Sequence, residues 1–381
     1  MKRKFIFLFY SILLVTLLLI IAQFVPIPLD PYQDFQVLYR ANKGIVNGIP
    51  LYDQAGQAQM VANDMGVSVD QVFVLPFPYP PWYALATVPL VLLPIDVAVR
   101  MWFLLNIAML LASVWLLTDG WQPRKRLISF VAAILFLPIL GALIVGQYVF
   151  PTILGTSFVI YALKHQHVVL IALGMALITF KPHIGIFILL AVVIYLLLRS
   201  DKFGRRAFWA TLLTGTLLFA IGFIADQAWP ITYLQSLLDF RNVSECEICI
   251  SMPLTISRMI GLDYDQSVLV AGILLVISIT LFVASSYRLG DEAFFTYFIC
   301  VPLLVNPYLL NYDFSFVLIP LFYLAGNIES KLDWFWITLI FIIPWIGLMF
   351  GRGDNISLLI STLALFFIIL TRLYKKHTIT V

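Results

Sequence analysis

Residues 168–198 read VVLIALGMALITFKPHIGIFILLAVVIYLLL, two apolar runs separated only by Lys181-Pro182-His183. Proline breaks a helix because it lacks an amide donor and clashes with the preceding turn, so we expect two membrane-spanning helices joined by a very short connection. Similar runs recur along the 381 residues, of which 62% are hydrophobic and 11% charged, with a mean hydropathy of +1.00. A soluble domain is about half apolar and about a quarter charged. The sequence therefore predicts an all-α polytopic membrane protein.

The apolar runs divide into about twelve segments, each near the length of about 20 residues that spans a bilayer or somewhat shorter. The first follows three basic residues and lacks the cleavage site of a signal peptide, so we expect it to remain as a membrane anchor. We predict one integral membrane domain over residues 1–381. The predicted spans are 5–25, 97–118, 127–145, 149–163, 168–180, 184–198, 207–225, 266–285, 293–310, 314–327, 334–350 and 355–373.

The distribution of Lys and Arg orients these spans, because cytoplasmic loops are enriched in basic residues. With the amino terminus inside, sixteen of the 23 basic residues fall on the cytoplasmic side and seven outside. We therefore predict a multi-pass protein of the plasma membrane with both termini in the cytoplasm. The two longest polar loops, residues 26–96 and 226–265, are then the first and second extracytoplasmic loops.

The first loop has predicted structure of its own. Apolar residues at helical spacing predict a helix from Asp34 that stops at Asn47-Gly48, and Asp53 is placed to cap a second short helix. The apolar run at 82–94 is too short to cross, and counting it as a span would move later basic clusters to the wrong side. We expect an interfacial or re-entrant helix there, with Pro81 in its first turn.

The predicted spans contain almost no ionisable side chains, and Arg100 lies inside the edge of one. An ion-coupled transporter needs buried charges near the membrane midplane, so this class is disfavoured. The net charge of +3 does not indicate a nucleic-acid partner. Because fourteen of the twenty acidic residues fall outside in the predicted orientation, we expect the functional site at the outer membrane surface.

Asp30 and Asp34 follow the first predicted span, four residues apart. In a helix they would lie one turn apart on one face. A partly desolvated carboxylate at the membrane interface can act as general base on a sugar hydroxyl. The alternative interpretation is a helix cap and a solvated loop charge.

Lys181 and His183 lie in the short outer connection between two apolar runs. A cation there is costly unless it reaches the interface or pairs with an anion, and a lipid phosphate would be such an anion. Proline also leaves free amides at the start of the following helix, which attract negative charge. A lysine that simply extends to the interface is the alternative.

Other outer residues are candidates for substrate binding. Gln147 lies in a short connection and can donate to a sugar or phosphate, although a plain turn is the alternative. Asp313 can bind sugar hydroxyls or cap the following helix. Arg258 and Arg352 suit phosphate oxygens, but a lone surface arginine can also be merely solvated.

The three cysteines do not form a disulfide framework. Cys246 and Cys249 form a CxxC in the second outer loop, and the third is Cys300. No second CxxC or histidine pair accompanies them. A small loop-closing disulfide or free thiols are therefore favoured over a metal site.

Several short motifs in this order resemble glycosyltransferase family 87, a family of polytopic GT-C class enzymes. The resemblance extends over roughly residues 1–200, with a carboxy-terminal half that is similar mainly in span layout. The motifs are Asp34-Phe35 with Tyr39, Gly48-Ile-Pro-Leu-Tyr52-Asp53, Phe77-Pro-Tyr-Pro-Pro81, Pro89-Leu90, Gly146-Gln147 and Lys181-Pro182.

The resemblance implies a GT-C-like bundle with interfacial helices in the first outer loop. It also implies transfer of a sugar, often mannose, from a polyprenyl phosphate carrier on the extracytoplasmic face. The catalytic base of the class matches Asp34, and the motif around Tyr79 places that residue among the substrate-binding candidates. Family members often have a Trp-Asp-His-like turn late in the chain, where this sequence has Asn311-Tyr312-Asp313.

We therefore predict an inverting membrane glycosyltransferase with Asp34 as general base. Its partners are a polyprenyl-phosphate-linked sugar donor, a glycan or lipid acceptor and membrane lipids. No cofactor and no metal are predicted, because fixed cations can offset the charge of a monophosphate leaving group; a divalent ion at the Asp30 and Asp34 pair is the alternative. The alternatives are a carrier or flippase for a lipid-linked sugar and, third, a non-catalytic membrane subunit that holds lipid.

Overall fold

A computed structural model provides the structure of the chain. It describes residues 34–199, 201–243, 249–263, 265–285, 298–350 and 357–379, together with Thr16, Ile20 and Gln23. The described residues form helices and no strand, in agreement with the predicted all-α class. Asp30 and Arg352 lie outside the described residues. The predicted first span also lies outside them, apart from Thr16, Ile20 and Gln23.

The described residues contain seventeen α-helices and three short 3-10 helices. The α-helices are α1 (Asp34–Val46), α2 (Gln54–Met65), α3 (Pro81–Thr87), α4 (Ile95–Leu117), α5 (Pro123–Leu135), α6 (Leu137–Val145), α7 (Val149–His165), α8 (Val168–Ile178), α9 (Pro182–Leu198), α10 (Lys202–Ala225), α11 (Trp229–Val243), α12 (Met252–Met259), α13 (Ser267–Ser285), α14 (Cys300–Val305), α15 (Leu318–Gly326), α16 (Lys331–Phe350) and α17 (Ser357–Ile379). The 3-10 helices are Val69–Gln71, Val88–Leu92 and Asn311–Val317.

The chain divides into two compact units. The first unit comprises Met1–Met109, Leu143–Gln147 and Gly222–Val243. The second unit comprises Leu110–Ala142, Tyr148–Ile221 and Ser244–Val381.

In the first unit, α1 and α2 confirm the helices predicted for the polar segment. α1 ends at Val46, directly before Asn47-Gly48. At the start of α2 the Asp53 Oδ1 accepts a hydrogen bond from the Gly56 amide at 3.0 Å, which satisfies one of the unpaired donors of a first turn. Gly66 ends α2 with φ +66°, a conformation that glycine adopts without a side-chain clash.

α1 is held by contacts on its apolar face. Phe35 and Leu38 are almost fully buried, as their helical spacing predicts. Asn42 lies on the same face, where its Nδ2 donates to the Thr87 Oγ1 at 2.9 Å. Thr87 closes α3, whose first residue is Pro81 as predicted. α3 and the following 3-10 helix are seven and five residues long, too short to span a bilayer.

In the second unit, α7 and α8 pack closely through two glycines. A Cβ atom on Gly155 would lie 2.6 Å from the Gly174 carbonyl oxygen, and a Cβ on Gly174 would lie equally close to the Gly155 carbonyl. Small residues allow this approach, which is typical of helix pairs in membranes. The following α9 contacts α8 in the same way, because a Cβ on Gly185 would meet the Ile178 carbonyl oxygen at 2.2 Å.

Three of the described helices are long and apolar enough to cross a membrane: α4, α10 and α16. α5 and α6 form a fourth candidate if they are one broken span, bent by 58°. α10 exposes large apolar side chains, such as Leu213 and Ile224, as expected of a helix in contact with lipid. The membrane character is thus confirmed, whereas the count of twelve spans and their orientation remain predictions.

Candidate functional site

Asp34, the predicted base, is the first residue of α1 and is partly buried. Its neighbour Phe35 stacks on Trp102 of α4, with ring centroids 6.3 Å apart and 27° between the planes. The Trp102 indole in turn donates to the Gly146 carbonyl oxygen at 2.8 Å. These contacts hold the start of α1 against α4 and against the turn that follows α6.

Gly146 is required at this turn for two reasons. Its φ is +70°, and a Cβ atom there would lie 2.9 Å from the Phe35 Cβ, so a side chain would be both strained and in collision. The next residue, Gln147, is fully buried, and its carbonyl oxygen accepts a long hydrogen bond of 3.4 Å from Asn106. The structure thus brings the Gly146-Gln147 motif beside the Asp34-Phe35 motif, although Phe35 and Gly146 are 111 positions apart in the sequence.

Tyr83 is a neighbour of Asp34 that the sequence did not single out. It is fully buried, and its ring lies edge-on to Tyr79 with a centroid distance of 5.8 Å. Burial raises the pKa of the Tyr83 phenol, and Tyr79 and the negative charge of Asp34 raise it further. The sequence signal that could have identified Tyr83 is its position two residues after the Pro80-Pro81 pair. Pro81 starts α3, and Tyr83 is buried in the first turn of that helix.

The segment around the predicted residue Tyr79 is held by side chains rather than by a backbone ladder. Prolines at 76, 78, 80 and 81 remove amide donors, so its carbonyl groups need other partners. The Tyr52 hydroxyl donates to the Tyr79 carbonyl at 2.7 Å, and the Ser236 hydroxyl donates to the Phe77 carbonyl at 2.9 Å. Burial raises the pKa of the Tyr52 phenol, with smaller contributions from Tyr233 and Asp226, so this donor keeps its proton.

In the second unit, three predicted residues form one cluster: Lys181, His183 and Asp313. The Lys181 ammonium pairs with the Asp313 Oδ1, and both side chains are only 1% exposed. The His183 Nε2 lies 3.6 Å from the Asp313 Oδ2, which is too long for a hydrogen bond but close enough for attraction when the imidazole is protonated. Lys181 directly precedes α9, and Asp313 lies in the 3-10 helix Asn311–Val317.

Asp313 has one of the two roles that its sequence position left open, the cap, and it also pairs with Lys181. Its Oδ2 accepts the Leu310 amide at 2.8 Å, which caps the 3-10 helix, and its other oxygen neutralises Lys181. Burial alone would raise the pKa of this carboxyl, but the Lys181 charge and the His183 imidazole outweigh it and hold the pKa at about 2. The anion that the sequence led us to expect beside Lys181 is therefore present within the protein.

Asn306, Tyr308 and Tyr312 complete this cluster, and of these only Tyr312 belongs to a motif already noted, the Asn311-Tyr312-Asp313 turn. The Asn306 Nδ2 donates to the His183 carbonyl at 2.9 Å, and its Oδ1 accepts the Tyr308 amide at 2.9 Å. The Tyr308 ring stands edge-on to the imidazole, and the Lys181 Nζ lies 4.6 Å from the centre of the Tyr312 ring. The available signal was the Asn306-Pro307 pair inside the predicted span 293–310, where a polar residue and a proline interrupt an apolar run.

Arg258, another predicted residue, is exposed in the last turn of α12. This helix is anchored beside the segment that leads to Asp313, since the Ile250 amide donates to the Leu309 carbonyl at 2.8 Å. Cys249, just before α12, is in a disulfide, whereas Cys300 is a free and buried thiol. Among the described residues no group of His, Cys, Asp or Glu could hold a metal ion.

A model of glycosyltransferase family 87 matches residues 77–307 of this chain. The matched stretch begins later and ends later than the expected range of roughly residues 1–200. It includes Tyr79, Gln147, Lys181, His183 and Arg258, while Asp34 and Asp313 lie outside it. No curated protein and no solved structure matches the chain. Because the match covers about three fifths of the sequence, the chain belongs to glycosyltransferase family 87 and is a membrane glycosyltransferase.

Proposed function

We propose that the enzyme transfers a sugar from a polyprenyl phosphate carrier to a glycan or lipid acceptor on the outer face of the plasma membrane. In this proposal the sugar is mannose or a related hexose or pentose, and the acceptor belongs to the cell envelope. The chain crosses the membrane about twelve times with both termini in the cytoplasm. The family match supports sugar transfer, and the distribution of basic residues supports the orientation.

The proposed reaction inverts the configuration at the anomeric carbon. Asp34 accepts the proton of the acceptor hydroxyl while that oxygen attacks the anomeric carbon. The bond from this carbon to the phosphate oxygen breaks, and its electron pair leaves with the polyprenyl phosphate. One glycosidic bond forms for each phosphoester-linked sugar consumed, and the proton leaves Asp34 to water.

The observation that supports Asp34 most directly is the packing at the start of α1. Phe35, Trp102 and Gly146 are buried around it and fix the position of the helix. A base must be held close to one geometry to remove a proton efficiently. Asp34 itself remains only partly buried, so an acceptor can reach it.

We further propose that the Lys181 cluster acts on the phosphate of the carrier. His183 is the member that a ligand can reach, since its side chain is 27% exposed whereas those of Lys181 and Asp313 are 1% exposed. A protonated imidazole would offset charge that develops on the leaving phosphate. The remaining proposed substrate-binding residues are Asp30, Tyr79, Gln147, Arg258, Arg352 and Asp313.

The decisive experiment compares Asp34→Asn with Asp64→Asn in purified enzyme supplied with a radiolabelled polyprenyl-phosphate mannose. Asp64 is a matched control because it is an exposed carboxylate near the end of α2, paired with Lys43 at the surface. We expect Asp34→Asn to lower kcat at least about a hundredfold, the usual scale for a general base, with donor binding retained. Asp64→Asn should leave both unchanged. Turnover near the wild-type rate in Asp34→Asn would remove Asp34 from the mechanism.

A further inference from the structure

A cleft in the first unit lies between α1, α2, the segment 74–77 and α11. Its empty space, counted out to its open mouth and including open solvent, is ≈ 440 Å³. Its polar lining includes Arg40 from α1, Gln57 from α2 and Asp239 from α11. We propose that this cleft binds the sugar acceptor, a neutral and hydroxyl-rich ligand.

Gln57 is the strongest sign that a ligand belongs there. The residue is 5% exposed, and neither its Nε2 nor its Oε1 has a hydrogen-bond partner among the described residues. Its amide lies against Gly44 of α1, so closely that a Cβ on this glycine would be 2.1 Å from the Nε2. Gly44 has no side chain that could hydrogen-bond to the Gln57 amide. A buried amide without partners is costly, and a ligand hydroxyl can serve both of its atoms because it donates and accepts.

The charges of the lining favour a neutral ligand over a phosphate. Arg40 and Asp239 have opposite signs and both line the cleft, so an anion attracted by the guanidinium would be repelled by the carboxylate. A purely apolar ligand, such as a lipid chain, would leave the Gln57 amide unsatisfied. A sugar suits this lining, since its hydroxyls can accept from an arginine and donate to a carboxylate.

The aromatic side chains of Tyr52 and Phe77 also line the cleft. Their rings pack on each other with centroids 6.4 Å apart, and the Phe77 carbonyl is held by Ser236 from α11. The wall is therefore built from three separate parts of the chain that are hydrogen-bonded and packed together. Ligand sites commonly combine such an apolar wall with a few fixed polar groups.

The cleft lies on the same side of α1 as the proposed base. Asp34, Val37 and Ala41 follow the spacing of one helical stripe, and Val37 and Ala41 line the cleft. The rise from Asp34 to Val37 is about 4.5 Å along the helix axis. A sugar in the cleft could thus extend one hydroxyl to Asp34. The assignment of the ligand as the acceptor rests on the proposed function, whereas the site for a neutral sugar rests on the cleft alone.

The test measures binding to the full-length protein in detergent micelles by saturation-transfer NMR and titration calorimetry. The probes are the methyl glycosides of mannose, glucose, galactose and arabinose, with inorganic phosphate for comparison. We expect at least one glycoside to bind and Gln57→Leu to weaken that binding at least about tenfold, the scale of hydrogen bonds lost at a buried group. Gln59→Leu is the matched control, because Gln59 lies on the exposed side of the same helix and is hydrogen-bonded to Asn63.

Two further variants keep the test decisive if Gln57→Leu does not fold. Arg40→Met and Asp239→Asn change more accessible residues of the same lining, and each should weaken glycoside binding. The proposal is overturned if no glycoside binds, if binding is unchanged in all folded lining variants, or if phosphate competes with the glycoside for the cleft. Asp34→Asn separates the two hypotheses, since it should retain glycoside binding while turnover falls. Normal turnover in that variant with intact binding would reject only the proposed base.

Discussion

Lys181 and Asp313 form an ion pair in which neither side chain is more than 1% exposed. Each of these buried charges stabilises the other. Removal of one partner destabilises the fold, because the remaining charge is left uncompensated in a medium of low polarity. The pair joins the start of α9 to the 3-10 helix Asn311–Val317. Its first expected role is therefore to hold this part of the second unit together.

We expect Asp313→Asn to lower the free energy of unfolding by roughly 3–5 kcal/mol, because it leaves a buried ammonium without its anion. Lys181→Met combined with Asp313→Leu should recover a large part of this loss, since the double variant buries no charge. Thermal unfolding of the purified protein in detergent measures both. The control is Lys43→Met, which breaks an ion pair with partners 40% and 48% exposed and should cost at most about 1 kcal/mol. Equal losses in the two single variants would contradict the prediction.

The pH dependence of stability should contain a contribution from Asp313. Its pKa is lowered to about 2 in the folded protein, against about 3.9 in an unfolded chain. The ionised form therefore stabilises the fold fully above pH about 4, and this contribution is lost as the pH falls toward 2. Unfolding measured from pH 7 to pH 2 should show a steeper acid loss for the wild type than for Asp313→Asn. Parallel curves would show that Asp313 does not contribute.

Gly146→Ala should destabilise the first unit more than Gly48→Ala. Both glycines have positive φ, +70° and +76°, but only Gly146 has a close neighbour, the Phe35 Cβ at 2.9 Å. We expect about 1 kcal/mol from backbone strain at either position and a further 1–3 kcal/mol, roughly, from overpacking at Gly146. Thermal unfolding gives the stabilities. Because Phe35 adjoins Asp34, turnover should also fall in Gly146→Ala and remain unchanged in Gly48→Ala. Equal behaviour of the two variants would mean that the Phe35 contact is unimportant.

Tyr52→Phe tests the support of the proline-rich segment. The substitution keeps the ring beside Phe77 and Tyr233 but removes the hydroxyl that donates to the Tyr79 carbonyl at 2.7 Å. We expect a loss of about 0.5–1.5 kcal/mol, because the hydrogen bond to that carbonyl is lost. Tyr52→Leu removes the ring as well and should cost more. If Tyr52→Phe unfolds at the wild-type temperature, the hydrogen bond does not stabilise the segment.

Gly155→Ala should separate α7 from α8, because its new methyl group would lie 2.6 Å from the Gly174 carbonyl oxygen. The helices cannot yield without losing the contacts along their shared face, so we expect a loss of at least about 1–3 kcal/mol. Gly141→Ala is the control, since no atom lies within 4 Å of the position of its Cβ. There alanine should be neutral or slightly stabilising, as its helix propensity is higher. Detergent unfolding temperatures distinguish the two outcomes.

Local sequence patterns predicted individual elements well where short-range physics determines them. The Asp53 cap, the stop after Val46 and Pro81 at the start of α3 each depend on residues within one or two turns. Contacts between distant residues were not predictable in this way. Nothing near Phe35 in the sequence indicates Gly146, and nothing near Gln57 indicates Asp239.

The sequence by itself determined the membrane character, the all-helical class and the short list of polar residues that could do chemistry. It could do so because an apolar solvent demands apolar residues and internally bonded backbone, and leaves few polar side chains to choose from. Only the tertiary structure decided which of these residues meet. It paired Lys181 with Asp313, set the Asp34 turn against Gly146 and placed Gln57, with its unpartnered amide, in the wall of a cleft. Each of these contacts depends on packing between residues that are distant in the sequence. The geometry of that packing is a property of the whole chain and not of any local stretch.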